Sequence, residues 1–259
     1  MSNHYGFTGL AQMYHRAIIK NELAYWEQGY SLHHAGTQNS GYSFGPVQWD
    51  VANNTDAPNI LRNILENAVY DSGPNVGQRI VSNAKITEWL GDPNVPGSTG
   101  TLSVKGTQNL SDPELRAVNT ALKSTYSQAK IDAEYPTAVQ ERIGKASELI
   151  STLKDPATRE YLTQNPMGML LYGDIKNQYG PDVAGAYLRY LNGDSIPTAG
   201  GNIKIEGQLG LDDLLRFQEN TKHSVTDKWL WDQARRQSNL LDEVGRYIPK
   251  SDEEAAGLE

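Results

Sequence analysis

Residues 27 to 50 read Glu27-Gln28-Gly29-Tyr30-Ser31-Leu32-His33-His34-Ala35-Gly36-Thr37-Gln38-Asn39-Ser40-Gly41-Tyr42-Ser43-Phe44-Gly45-Pro46-Val47-Gln48-Trp49-Asp50. On either side of this segment apolar residues recur at helical spacing. Inside it that period is lost. Gly36, Asn39, Ser40 and Gly41 are turn formers. Tyr42, Phe44 and Val47 alternate with smaller residues over a short span, which predicts a small hairpin or irregular sheet. A carboxylate stands at each end.

Upstream, Leu10, Met13, Tyr14, Ala17 and Ile18 form one apolar stripe, with Thr8 as a suitable N-cap. The pattern runs on to Tyr25 and Trp26, and Gly29 is its natural stop. Glu27 is therefore expected in the last turn of this first helix. Downstream, a helix beginning between Asn54 and Pro58 carries Ile60, Leu61, Ile64, Leu65, Ala68 and Val69 on one face and is expected to end near Gly73. Another is predicted over 76–90. The segment 91–112 is rich in Gly, Pro, Ser and Thr. Loops of that length tend to be functional or mobile, and it is the best place for a subdivision of the chain.

Ser111-Asp112-Pro113 predicts a helix start, the helix running to about Glu134. Pro136 then opens another, with Val139, Ile143, Ala146, Leu149, Ile150 and Leu153 on one face. A short helix is expected over 156–163, and Tyr172-Gly173-Asp174 reads as a turn edging a cleft. Pro181 opens a compact helix stopped by Gly193, residues 194–208 form a loop or short hairpin, and helices follow over 211–221 and 225–247. The last, which carries Trp229, Trp231, Arg235 and Arg236, is expected to be a packing helix. The sum is a mainly α fold, one domain over residues 1–250, followed by an acidic tail, 251–259, too polar to order itself.

Composition removes several function classes. The chain has 259 residues and no cysteine, so disulfides, thiolate zinc sites and a cysteine nucleophile are out. Its net charge of −8 lacks the basic excess of a general nucleic-acid binder, so no nucleic-acid partner is expected. No apolar run approaches the roughly 20 residues that span a bilayer, and no membrane partner is expected. The N-terminus has no basic segment followed by an apolar run, so a secretory signal peptide is not expected. His33 and His34 are adjacent, and adjacent residues on a strand point to opposite faces, so they make a poor pair of metal ligands. No metal or cofactor is expected.

Glu27 is the candidate general acid. A helix C-terminus disfavours negative charge. Tyr25 and Trp26 offer apolar cover, and no Lys or Arg lies between Asn21 and Asp56. Asp50 is the second candidate carboxylate. It equally suits a turn or N-cap, since Asp50-Val51-Ala52-Asn53-Asn54 precedes a helix. Asp56 is a weaker candidate base, better suited to starting that helix.

Glu27-x-Gly29-Tyr30, followed by Ser40-Gly41-Tyr42-Ser43-Phe44-Gly45-Pro46-Val47-Gln48, resembles the lysozyme-like superfamily: goose-type lysozymes, soluble lytic transglycosylases and phage-tail lysozyme domains. There a catalytic Glu ends a helix and a Gly-Leu-Met-Gln type motif follows. Gly45-Pro46-Val47-Gln48 is similar, with Pro46-Val47 in place of Leu-Met, and Gln28 stands where a Ser would follow the Glu. Gln48-Trp49-Asp50 is similar to the Gln-x-Asp of goose-type lysozymes. The resemblance covers about residues 15–55.

It implies a lysozyme-like helical fold with the small β element beside the active site and extra C-terminal helices. It also implies a muramidase, cleaving the β-1,4 bond between N-acetylmuramic acid and N-acetylglucosamine, with Glu27 as acid and Asp50 as base. Should Asp50 serve only a turn, Glu27 would act alone as in a lytic transglycosylase. Chitinase or chitosanase activity is the nearest enzymatic alternative. A non-catalytic helical wall-binding or phage-structural module is the alternative of another class.

On the same resemblance Gln48 would bond an acetamido group or position water, and Ser43 and Tyr42 would line the cleft. Trp49 would stack on a sugar face, and Tyr172 would answer to the late tyrosine of lytic transglycosylases. The expected partners are peptidoglycan glycan strands and, for an injected effector, an immunity protein or inhibitor. The expected place of action is the periplasm or cell wall, reached by non-classical export, injection or phage lysis.

Overall fold

The structure, a computed structural model, describes residues 9–23, 25–34, 40–198, 201–220 and 227–247. The expected tail 251–259, the Thr8 cap and the turn formers Gly36 and Asn39 lie outside the described residues. The protein is mainly α-helical. In chain order its elements are α1 (Gly9–Glu22), β1 (His33–His34), β2 (Tyr42–Phe44), β3 (Trp49–Asp50), α2 (Ala57–Asn67), α3 (Asn83–Leu90), α4 (Asp112–Leu122), α5 (Thr125–Ser151), α6 (Pro156–Gln164), α7 (Met167–Tyr179), α8 (Pro181–Leu191), β4 (Ile196–Thr198), β5 (Gly201–Ile203), α9 (Leu211–Glu219) and α10 (Asp227–Tyr247).

The chain divides into two compact units, one of Glu22–Thr137 and one of Met1–Asn21 with Ala138–Glu259. The segment 91–112 is the place the sequence offers for any subdivision of the chain. That segment lies within the first unit and is fastened there. Gly100 passes so close over α3 that a Cβ would stand 2.1 Å from the Trp89 carbonyl carbon. Leu102 and Leu110 are buried, the Arg62 guanidinium donates to Gly91 O at 2.6 Å, and Gly106 N donates to Ser40 O at 2.9 Å. Gly91 and Gly100 serve close backbone approach, while Gly97, in open space, and Gly106 have left-handed backbones.

Local chemistry explains most boundaries in the first unit. Asn54 Oδ1 accepts from the amides of Asp56 and Ala57 ahead of α2. Ser82 caps α3, which starts later than the apolar pattern predicts. Ser111 and Glu114 form a reciprocal capping box on α4. α4 stops at Leu122 instead of running to Glu134, because Ser124 turns its hydroxyl to Ser127 and starts α5 anew. Pro136 does not start a helix but sits inside α5, where the missing N–H leaves the carbonyl four residues earlier without its helical partner.

β1, β2 and β3 make an antiparallel sheet with β2 central. His33 faces Ser43 and Ser43 faces Asp50, while His34 faces Tyr42 and Phe44 faces Trp49. Strand alternation therefore puts His33, Ser43 and Asp50 on one face and His34, Tyr42, Phe44 and Trp49 on the other. The second face is core: Tyr42, Phe44 and Trp49 are buried, with Phe44 against Trp49 at 5.5 Å between ring centroids and His34 against Tyr42 at 5.1 Å.

In the other unit α7 is the central helix, touching α6, α8, α9 and α10. Tyr172-Gly173-Asp174, expected as a turn, is the middle of α7. Gly173 is there because the Tyr14 ring needs its space: a Cβ would stand 2.7 Å from that ring, and Tyr14 Oη donates to Gly173 O at 3.2 Å. Asp174 is buried and ion-paired to Arg236 at 3.0 Å, and accepts from Asn21 Nδ2 and Gln218 Nε2. β4 and β5 form the short hairpin expected over 194–208. α10 packs on α7 and α9 as expected, with Trp231 on its outer side, 68% exposed; the side chain of Trp229 lies outside the described residues.

Candidate active site

α1 ends at Glu22, and Tyr25 is extended. Glu27 is then the second residue of a separate 3-10 turn, Trp26–Tyr30. This corrects its expected place at the end of α1. It lies in the first turn of a short helix, not the last, and both it and Tyr25 are exposed. Neither the helix-end field nor the aromatic cover expected around Glu27 is present, and its carboxylate has no hydrogen bond or ion pair among the described residues.

The turn itself is held firmly. Trp26 Nε1 donates to Tyr30 Oη at 2.7 Å, and Tyr30 Oη donates to Asp132 Oδ1 at 2.7 Å on α5. The Trp26 ring meets Tyr135 edge-on at 5.2 Å. Burial pushes the Tyr30 phenol well above its ordinary range, and acceptance of its proton by Asp132 adds to this. Tyr30 is thus a permanent donor there, and the Trp26–Tyr30–Asp132 chain fixes the turn that carries Glu27.

The Gly45–Gln48 loop is brought to this turn. Gly45 N donates to Gly29 O at 2.9 Å, and a Cβ on Gly29 would stand 3.2 Å from Pro46. Gly45 itself has φ +77°, and a Cβ there would enter the Trp49 ring at 2.2 Å. Gln48 is the non-glycine residue with positive φ among the described residues, at +53°. Its amide N and its side-chain Nε2 both donate to Gly45 O, at 3.0 and 3.2 Å. With Nε2 so committed, Oε1 of the half-buried Gln48 is left as an acceptor without a partner among the described residues. The two halves of the sequence resemblance, Glu-x-Gly and Gly-x-x-Gln, are therefore adjacent in space.

The remaining candidates separate. Asp50 accepts from Ser40 Oγ at 2.5 Å, Ala52 N at 2.8 Å and Asn53 Nδ2 at 2.7 Å. A carboxylate offers about four lone-pair positions, and three are used to close the turn that leads to α2. The geometry assigns Asp50 to that turn. Asp56 is exposed at the start of α2, as expected of a helix-starting residue. Ser43, on the same sheet face as Asp50, has a hydroxyl without a partner among the described residues.

Tyr42 and Trp49 do not line a cleft. Tyr42 is fully buried, with its hydroxyl accepting from Leu110 N at 3.1 Å, and Trp49 is spent on Phe44 and Gly45. Tyr172 belongs to the core of the other unit, where burial raises its phenol. His33 and His34 lie on opposite faces of the sheet, and His33 Nε2 stands 3.3 Å from Gln28 O. Among the described residues no three His, Asp or Glu side chains gather as a metal site would need.

Sequence reading missed Tyr30 and Asp132. Tyr30 had a local signal, since it is four residues from Trp26. Asp132 had none, because its partner lies 102 residues away. Comparison with protein-family models, with curated proteins and with solved structures finds no match.

Proposed function

We propose that this chain cleaves peptidoglycan glycan strands at the β-1,4 bond between N-acetylmuramic acid and N-acetylglucosamine, with Glu27 as the one acid–base group. The observation that carries this reading is the bond from Gly45 N to Gly29 O. It sets the Glu27 turn beside the Gln48 loop and so brings together the two motifs that carry the lysozyme-like resemblance. Glu27 would protonate the glycosidic oxygen as the bond to the muramoyl C1 breaks. The muramoyl C6 hydroxyl would then close on C1 while the Glu27 carboxylate takes its proton. That route yields a 1,6-anhydro end and needs no second carboxylate. The engagement of Asp50 by three donors favours it over hydrolysis. Gln48 Oε1 and Ser43 Oγ are the groups left to contact the sugar, the first suited to an acetamido N–H.

Purified sacculi digested with the protein and analysed by mass spectrometry test the proposal. Anhydro ends that vanish with Glu27→Gln support it. Reducing ends would mean hydrolysis with a base after all. The exposure of Glu27 favours one reading of another class, a wall-binding module without catalysis. Retention on sacculi with neither kind of end released would establish that one instead.

A further inference from the structure

A cavity of about 280 Å³ lies within the unit built on α7, bounded by α8, β4 and the end of α9. Its floor is apolar, made of Val183, Ala186, Ile196 and Phe217. Ile196 and Phe217 are buried. The Phe217 ring is fixed against Tyr187 and Tyr190, at 5.0 and 5.3 Å between centroids, so the floor cannot easily fold in and fill the hollow.

Asp182 and Arg189 also line the cavity. With Ala186 between them they follow the i, i+4, i+7 spacing of one helical face, which places the two residues about 10 Å apart along the axis of α8. Both are exposed, and neither side chain has a hydrogen bond or an ion pair among the described residues. An acid in the first turn and a base in the last suit the field of the helix. That accounts for the charges. It does not account for an apolar hollow between them, kept open by an alanine.

We infer that this cavity binds a short dipolar peptide. Its ammonium pairs with Asp182, its carboxylate pairs with the Arg189 guanidinium, and its backbone and small side chains lie over Ala186 and Phe217. An extended tripeptide spans about 10 Å, which matches the spacing of the two residues along α8. The volume is near the lower end of small-ligand pockets, roughly 300–1,000 Å³, and so selects few and small residues. Arginine forms paired hydrogen bonds with a carboxylate, which gives the site its direction. The inference does not depend on glycan cleavage.

Calorimetric titration of the full chain with tri-alanine tests it. Tri-alanine with free ends should bind. Blocking its amine by acetylation, or its carboxylate by amidation, should weaken binding about tenfold or more, about 1.4 kcal/mol per tenfold step. Arg189→Gln should lose the preference for a free carboxylate while keeping that for a free amine, and Asp182→Asn should do the reverse. Ala186→Leu should remove binding by filling the hollow. All three variants should unfold at close to the parent temperature. The inference is overturned if tri-alanine gives no heat at millimolar concentration. It is equally overturned if the blocked peptides bind as well as the free one, or if the variants bind like the parent.

Discussion

The amide of Gly45 donates to the carbonyl of Gly29 across 2.9 Å. Neither residue can be exchanged at the same cost. At Gly29 an added Cβ meets Pro46 at 3.2 Å, an approach a small shift relieves. At Gly45 it meets the Trp49 ring at 2.2 Å, from a backbone with φ +77°. Gly45→Ala should therefore cost about 2–5 kcal/mol, combining left-handed strain with overpacking. Gly29→Ala should stay within about 1 kcal/mol. Urea unfolding midpoints decide. A Gly45→Ala protein as stable as the parent would contradict the packing of Trp49 on the loop.

The Trp26–Tyr30–Asp132 chain makes a second prediction. Tyr30→Phe removes a donor to Asp132 and an acceptor from Trp26 together. A loss of about 1–3 kcal/mol is expected, since hydrogen bonds to charged groups exceed neutral ones. In an Asp132→Asn background the same substitution should cost less, because the pair interacts directly. Additive effects in that double-mutant cycle would show that the contact contributes nothing of its own.

His15 makes the stability depend on pH. It is 5% exposed on α1, and burial, with the neighbouring Arg16 charge, lowers its pKa from 6.5 to about 4. Between those values the unfolded chain binds a proton that the folded chain refuses. This contribution to stability therefore rises with pH from about 4 to 6.5 and is lost as pH falls through that window. Its full size is up to about 3 kcal/mol, at 1.36 kcal/mol per unit. His15→Gln, which cannot titrate, should flatten that part of the curve. Denaturant titrations of both proteins at pH 4.5 and pH 7, within and above that window, check it; equal slopes would remove His15 as the cause.

What was legible in the sequence was whatever local chemistry settles. Apolar spacing located α1, α2, α8 and α9, and the Ser111–Glu114 box located the start of α4. The alternation of Tyr42, Ser43 and Phe44 located the central strand. What failed depended on distant partners. Pro136 reads as a helix start, yet α5 runs through it. Gly173 reads as a turn, yet it makes room for the ring of Tyr14, 159 residues away. A helix stop at Gly29 and a turn-rich segment from there to Gly45 were legible. That the Glu27 turn would separate from α1 was not, because Tyr25 and Trp26 continue an apolar pattern while their backbone leaves the helix.

Glu27 and Asp50, equal candidates by type, should part under substitution. Glu27→Gln touches an exposed side chain with no partner among the described residues, so stability should change by no more than about 0.5 kcal/mol. Glycan cleavage should nonetheless disappear. Asp50→Asn places an amide where Ser40 Oγ, Ala52 N and Asn53 Nδ2 all donate, so a donor must face a donor. It should lose about 1–3 kcal/mol of stability. Its turnover per folded molecule, measured well below its unfolding temperature, should stay within about tenfold of the parent. A general base contributes roughly 10²–10⁴-fold, so a folded Asp50→Asn protein slowed to that degree would restore Asp50 to the chemistry. The parent protein would then have to release reducing rather than anhydro ends, since a base acting on water leaves a hydrated product.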